Sequence, residues 1–163
     1  LFLKTKKLND SYLKKKIIDE FKENGIDLNS IILEGSSPRS KFLNSYNKID
    51  IALDPFPYSG GVTSLEAIWM GVPVLTKKGF RFVSHTTESI NHNSGMSDWV
   101  ANDENDYVEK AIKFSGNLEL LTEINKNLRQ RVLKSPAFNS SLFAKQLNNA
   151  FWKMWNNFIL KKS

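Results

Sequence analysis

Residues 49–76 read IDIALDPFPYSGGVTSLEAIWMGVPVLT, and the punctuation of this stretch decides the fold. Ile49 to Asp54 is a short apolar run of the length a buried strand needs. Pro55-Phe56-Pro57 stiffens the chain as it leaves that run, and Gly60-Gly61 then frees it. Val62, Leu65 and Ile68 recur at helical spacing up to Met70, and Gly71 stops that helix. Val72-Pro73-Val74-Leu75-Thr76 is a further buried run. The order is therefore strand, helix, strand.

The alternation continues in both directions. Upstream, Leu1 to Lys4 reads as a short strand, and Asn9 to Lys22 as a helix. Asp10 or Ser11 can cap that helix, Leu13, Ile17 and Phe21 form its apolar side, and Gly25 ends it. Ser30 to Glu34 is another buried strand, Gly35 to Pro38 a loop, and Arg39 to Tyr46 a short helix. Downstream, Val83 to Asn93 is helical with Gly95 at its end, and Asp98 to Ala101 is a short strand. Asn105 to Phe114 is a helix expected to turn Tyr107, Val108, Ala111 and Ile112 inward. Leu118 to Val132 follows with Leu121, Ile124, Leu128 and Val132 on one side, and Pro136 breaks the chain. Asn139 to Ile159 is a long helix with a stripe of Phe143, Leu147, Ala150, Phe151, Met154 and Phe158. That stripe is read as core, or else as a docking face. Strands alternating with helices predict an α/β fold, a parallel sheet covered on both faces. The helical part from Asn105 onward is read as an extension of one domain.

Composition narrows the function classes. The 163 residues suit one domain, and 40% apolar with 25% charged residues is ordinary for a globular chain. Cysteine is absent, so disulfides, thiolate nucleophiles and cysteine metal sites are excluded. The two histidines, His85 and His92, are too far apart on one helix for a metal pair, and no HExxH spacing occurs. Twenty-three basic residues against seventeen acidic ones give a net charge of +6, which favours anionic partners. The lysines are spread, with clusters at Lys4–Lys7, Lys14–Lys16 and Lys161–Lys162, which reads as solvated faces and not as a nucleic-acid surface. No apolar run approaches the length of about 18 residues that spans a bilayer. Leu1-Phe2-Leu3-Lys4 is not a signal peptide, and with no initiator Met the chain is expected to be a piece of a longer product.

In parallel α/β folds ligands gather at the carboxyl ends of strands. The loops there are Gly35–Pro38, Asp54–Gly61 and Thr76–Phe82. The second is the richest. Two glycines let a ligand approach the backbone, and the first turn of the following helix offers unpaired N–H groups with partial positive charge. Thr63 adds a hydroxyl, which completes a general phosphate cradle. Glu66, three residues further on the same face, could accept hydrogen bonds from a ribose diol. The same residues also suit a plain tight turn, with Ser59 or Thr63 capping the helix and Glu66 facing its dipole. The loop matches neither GxGxxG nor a Walker P-loop.

The run Leu53 to Thr76 resembles the C-terminal catalytic lobe of O-GlcNAc-transferase-like (SPINDLY-type) glycosyltransferases, whose pattern is LDPFPYxGGxTTxEALWMGVPVVT. Gly79 to Ser84, Asn93 to Ala101, Ser135 to Phe138 and Met154-Trp155 extend the likeness across Ser30 to Phe158. The resemblance implies a Rossmann-like three-layer α/β/α lobe, the C-terminal half of a GT-B enzyme, with a helical C-terminal extension. It implies a UDP-sugar donor, most simply UDP-GlcNAc, transferred with inversion to a protein Ser or Thr hydroxyl, with no metal and no other cofactor. Ser59, Gly60, Gly61, Val62 and Thr63 fall on the diphosphate turn, and Glu66 on the ribose-binding acid. Val62 stands where many members carry Thr. Ser37, Arg39 and Phe42 fall on the loop and helix that contact uracil and phosphate, matched by spacing and not by identity. The implied partners are a protein acceptor, an N-terminal catalytic lobe and tetratricopeptide repeats, in the cytoplasm, with neither membrane nor nucleic acid. No catalytic residue is assigned within this chain, which alone is expected to be inactive. A protein N-glucosyltransferase using UDP-glucose, and a non-catalytic interaction module that kept the fold, remain the alternatives.

Overall fold

A computed structural model describes residues 1–161; Lys162, of the closing basic pair, lies outside the described residues. The chain divides into two compact units, Leu1–Ile49 and the remainder from Asp50.

In the first unit, β1 (Phe2–Lys4) pairs parallel with β2 (Ile32–Glu34), with Leu3 opposite Leu33. α1 (Ser11–Glu23) makes the crossover. The Asp10 carboxylate starts it, accepting the N–H groups of Tyr12 at 2.8 Å and Leu13 at 3.1 Å. Gly25 ends it at a φ of 73°, with Ile26 N–H returning to the Phe21 carbonyl at 3.0 Å, the expected left-handed stop. Lys4 and Lys48 grip the Glu34 carboxylate at 2.9 and 2.8 Å. Their bonds hold its pKa down at about 2. α2 (Arg39–Ser45) closes the unit.

The second unit carries β3 (Ala52–Leu53), α3 (Val62–Trp69), β4 (Val74–Lys77), α4 (Thr86–Asn93) and β5 (Val100–Ala101). The strands are all parallel in the order β3-β4-β5, with Leu53 opposite Leu75 and Thr76 opposite Val100. β4 is central, and Val74, Leu75 and Thr76 are all buried, as befits a strand covered on both faces. α5 (Glu104–Ser115), α6 (Leu118–Leu133) and α7 (Ser140–Leu160) follow. Ile68, Val72 and Leu75 make the core with Leu128 and Val132 of α6. Trp99 stacks on Phe114 with ring centroids 4.2 Å apart. Gly71, at a φ of 86°, lets α3 pass close to α6, because a Cβ there would stand 2.8 Å from the Asn125 carbonyl oxygen. The α/β architecture with parallel strands is the one expected from the sequence.

Two expectations about helix faces are corrected. On α5, Val108 and Ile112 are exposed. The inward side carries Tyr107, Lys110, Ala111 and the buried Phe114, and Lys110 uses its amine to bond the Val100 carbonyl at 2.7 Å. Apolarity alone could not anticipate a lysine that reaches a strand end along its aliphatic stem. On α7, no residue is buried, and Phe143, Phe151, Met154 and Phe158 all face outward, so the stripe is not core. Just before α7, Phe138 packs on Trp69, whose ring also carries the Arg129 guanidinium at 4.3 Å. None of the helices among the described residues is long and apolar enough to cross a membrane.

Candidate functional site

The site is built on the carboxyl edge of β3 and β4. Because Leu53 lies opposite Leu75, the next residues, Asp54 and Thr76, are neighbours across the ladder. Thr76 donates its hydroxyl to Asp54 Oδ2 at 2.7 Å, and Gly60 donates its N–H to Asp54 Oδ1 at 2.7 Å. Burial pushes the Asp54 carboxyl above the usual carboxylate range, while those two bonds and a third from the Thr87 hydroxyl pull it back. Tyr107 of α5 donates its phenol to the Asp54 carbonyl at 3.1 Å. Burial, with the adjacent Asp54 charge, pushes that phenol up to about 12.

Gly60 is held at both backbone groups. Its carbonyl accepts the Thr87 hydroxyl at 3.0 Å. Ser64 Oγ lies 2.9 Å from the same Thr87 hydroxyl. There is no room for a side chain at Gly60, since a Cβ would stand 2.4 Å from Ser64 Oγ and 3.0 Å from Asp54 Oδ1. The loop after β4 is laced to this turn. Ser59 donates to the Val83 carbonyl at 2.7 Å, and Ser84 donates to the Pro57 carbonyl at 2.6 Å. Gly79 in turn lies flat on Ser84, where a Cβ would come within 2.3 Å.

What this frame leaves open is the start of α3. Gly61 is the N-cap, and no side chain caps the helix. The Gly61 and Val62 N–H groups make no hydrogen bond among the described residues. Ser59 is not the cap: it donates to the Val83 carbonyl, and its oxygen faces the Thr87 N–H of α4 at 3.5 Å and no amide of α3. Thr63 is exposed in the first turn and Glu66 is buried one turn deeper on α3. An uncapped helix start on a rigid turn presents amide dipoles to whatever lies in front, the arrangement that suits an anion.

Of the residues singled out in the sequence, Ser59, Gly60, Gly61, Val62, Thr63 and Glu66 come together here. Ser37, Arg39 and Phe42 belong to the first unit. There Ser37 Oγ is buried without a partner, Arg39 opens α2, and Phe42 packs edge-on against Tyr46 with centroids 5.6 Å apart. His85 Nδ1 is 2.6 Å from Glu88 Oε2, and His92 Nδ1 is 2.9 Å from Ser97 Oγ. Among the described residues no cluster of three or more histidines and carboxylates could hold a metal ion. Sequence reasoning gave no role to Asp54, Thr76, Ser64, Thr87 or Ser84, the polar frame. The available signal was a polar residue closing each of two adjacent apolar runs, at Asp54 and Thr76.

Comparison with known proteins adds the family context. Residues 11–147 match the family model for glycosyl transferase family 41. A protein of Hordeum vulgare named probable UDP-N-acetylglucosamine--peptide N-acetylglucosaminyltransferase SPINDLY is 33% identical over 116 residues, 71% of this chain and 12% of its own length. The protein SEC of Arabidopsis thaliana, given the same probable activity, is 26% identical over 133 residues, 81% of this chain and 14% of its own. Among solved structures, a mutant of the Thermobaculum terrenum O-GlcNAc transferase matches with a TM-score of 0.89 at 30% identity, over 100% of this chain and 31% of that one. The chain therefore spans a small part of the relatives it matches.

Proposed function

The chain belongs to glycosyl transferase family 41, and from that premise we propose that it is the donor-binding part of a protein O-glycosyltransferase that uses a UDP-sugar. The observation that carries this reading is the uncapped start of α3, with the Gly61 and Val62 amides unpaired on a turn that Asp54 and Thr87 hold rigid. In this reading the diphosphate lies against the turn from Ser59 to Thr63, and Glu66 holds the ribose. UDP-GlcNAc is the donor proposed, after the activity in the relatives' names.

The chemistry follows from where charge develops. As the sugar leaves, negative charge accumulates on the diphosphate, and fixed amide dipoles stabilise it without reorganising. That substitutes for a metal ion, and displacement from the opposite face of the sugar inverts the anomeric carbon. The acceptor Ser or Thr hydroxyl must be positioned and relieved of its proton by groups outside this chain. We assign those groups to a second lobe that covers the exposed apolar stripe of α7, with tetratricopeptide repeats as the reader of the acceptor protein. The net charge of +6 suits an anionic leaving group.

Calorimetric titration of the chain with UDP, UMP and ADP, for the natural sequence and for Glu66→Ala, tests the reading. The expected result is a preference for UDP over ADP and over UMP, with affinity reduced about tenfold or more in the variant, the loss of a buried polar contact to the ligand. Equal binding of UDP and ADP, or an unaffected variant, would remove the donor assignment.

A further inference from the structure

The reading just proposed uses Asp54, a buried carboxylate at the edge of the sheet, as no more than a brace for the turn. Asp54 is 5% exposed and sits directly behind the turn, bonded to Gly60 N–H through one oxygen and to Thr76 through the other, with the Thr87 hydroxyl also bonding the carboxylate. Gly60 precedes the two open amides, so an anion docked on them lies a few residues' breadth from the buried Asp54 carboxylate. Two like charges so placed repel each other far more than they would in solvent.

Among the described residues no cation is paired with Asp54 to relieve that repulsion. From β4 the facing group is the neutral Thr76 hydroxyl, and Lys77 beside it turns to Glu104 at 2.9 Å. From α4 comes the neutral Thr87, with Glu88 further along taken up by His85. From α5 comes Tyr107, whose phenol stays protonated far above neutrality. On α3 the ionisable residue is Glu66, itself an acid. The group that can yield is Asp54. Burial already raises its proton affinity, and the Thr76 hydroxyl can rotate to accept a hydrogen bond from a protonated Oδ2.

Resting on the donor site proposed above, we propose that Asp54 is a positioning residue for the diphosphate turn and that it takes up a proton from solvent when a diphosphate settles on the Gly61 and Val62 amides. The carboxylate orders Gly60 in the empty protein. The carboxylic acid then keeps the Gly60 bond through Oδ1 while its new O–H donates to Thr76. The bound complex thereby loses a negative charge that would otherwise oppose the ligand.

The test is calorimetry with UDP-N-acetylglucosamine, whose doubly esterified diphosphate does not titrate near neutrality, in buffers of different ionisation enthalpy across a pH series. The natural chain should take up a fraction of a proton approaching about one per ligand, and its affinity should fall as pH rises, by at most about tenfold per pH unit. Asp54→Asn keeps an oxygen for Gly60 and cannot titrate, so its proton uptake should vanish and its pH profile should flatten. An Asp54→Asn chain that binds with the same proton uptake as the natural one overturns the proposal and leaves the donor site standing. If that variant does not fold, Thr76→Val decides. Removing the hydroxyl that stabilises the carboxylate should move the uptake to higher pH, and an unmoved profile overturns the proposal. Failure of the natural chain to bind the nucleotide sugar overturns the donor site, and this proposal with it.

Discussion

Thr87 Oγ1 lies 3.0 Å from the Gly60 carbonyl oxygen, so a wholly buried residue of α4 holds the backbone that follows β3. Replacing Thr87 with Val keeps the shape and removes the hydroxyl, leaving the Gly60 carbonyl and Ser64 Oγ without this partner. We expect a loss of about 1–3 kcal/mol in urea denaturation, the cost of stranding buried polar groups, and weaker UDP binding alongside it. Thr87→Ser should recover most of both. A Val variant as stable and as tight as the natural chain would show that Asp54 alone orders the turn.

Val62 is exposed in the first turn of α3. Val62→Thr exchanges a methyl for a hydroxyl on the same branched frame. UDP should bind up to about tenfold tighter, the worth of one hydrogen bond to a charged group. The denaturation midpoint should not move. Titration of the two chains side by side measures it, and no gain would place the Val62 side chain away from the phosphates.

Glu34 links the first unit to pH. Its folded pKa of about 2 lies below the ordinary 4.5, so the carboxylate's contribution to stability is complete above 4.5 and is lost as pH falls from there towards 2. Amide exchange at Leu3 and Leu33, the paired residues of β1 and β2, should quicken through that window. Glu34→Gln should remove the acid-dependent part of the change. Exchange that stays flat over the same range would show that the Lys4 and Lys48 bonds do not support the strand pair.

Leu128 and Phe151 occupy equivalent places in the helical patterns of α6 and α7, yet Leu128 is 1% exposed and Phe151 is 58% exposed. Leu128→Ala should cost about 2–5 kcal/mol, as the emptying of a closed core site does. Phe151→Ala should stay within about 0.5 kcal/mol, the range of surface changes. Thermal denaturation of the two variants checks the pair. A large effect at Phe151 would mean that α7 is packed in solution.

That contrast also marks what could be read in advance. The segment order was legible because each break carries its own chemistry. Gly25, Gly71 and Gly95 stand at helix ends with positive φ, and Asp10 caps the helix it was expected to cap. The place of the glycine turn followed from strand order alone. The covering of faces did not, since periodicity reports which side of a helix is apolar and not whether anything lies against it. Phe143, Met154 and Phe158 satisfy the pattern on an open side, and Lys110 breaks it on an inward one. The polar frame was hidden for a different reason. Asp54, Thr76 and Thr87 are far apart in the chain, and only strand register and helix packing bring their oxygens within bonding distance.

The bonds from Ser59 to Val83, Ser84 to Pro57 and Thr87 to Gly60 have a practical consequence for anyone recombining this scaffold with its relatives. Each joins a residue between 57 and 60 to one between 83 and 87, so neither segment is a separable module. A chimera that imports the glycine turn alone would mismatch the hydroxyls waiting for it, and one that imports the later loop alone would strand the carbonyls it was meant to meet. The two must be exchanged together, as a single inheritable unit written in two places.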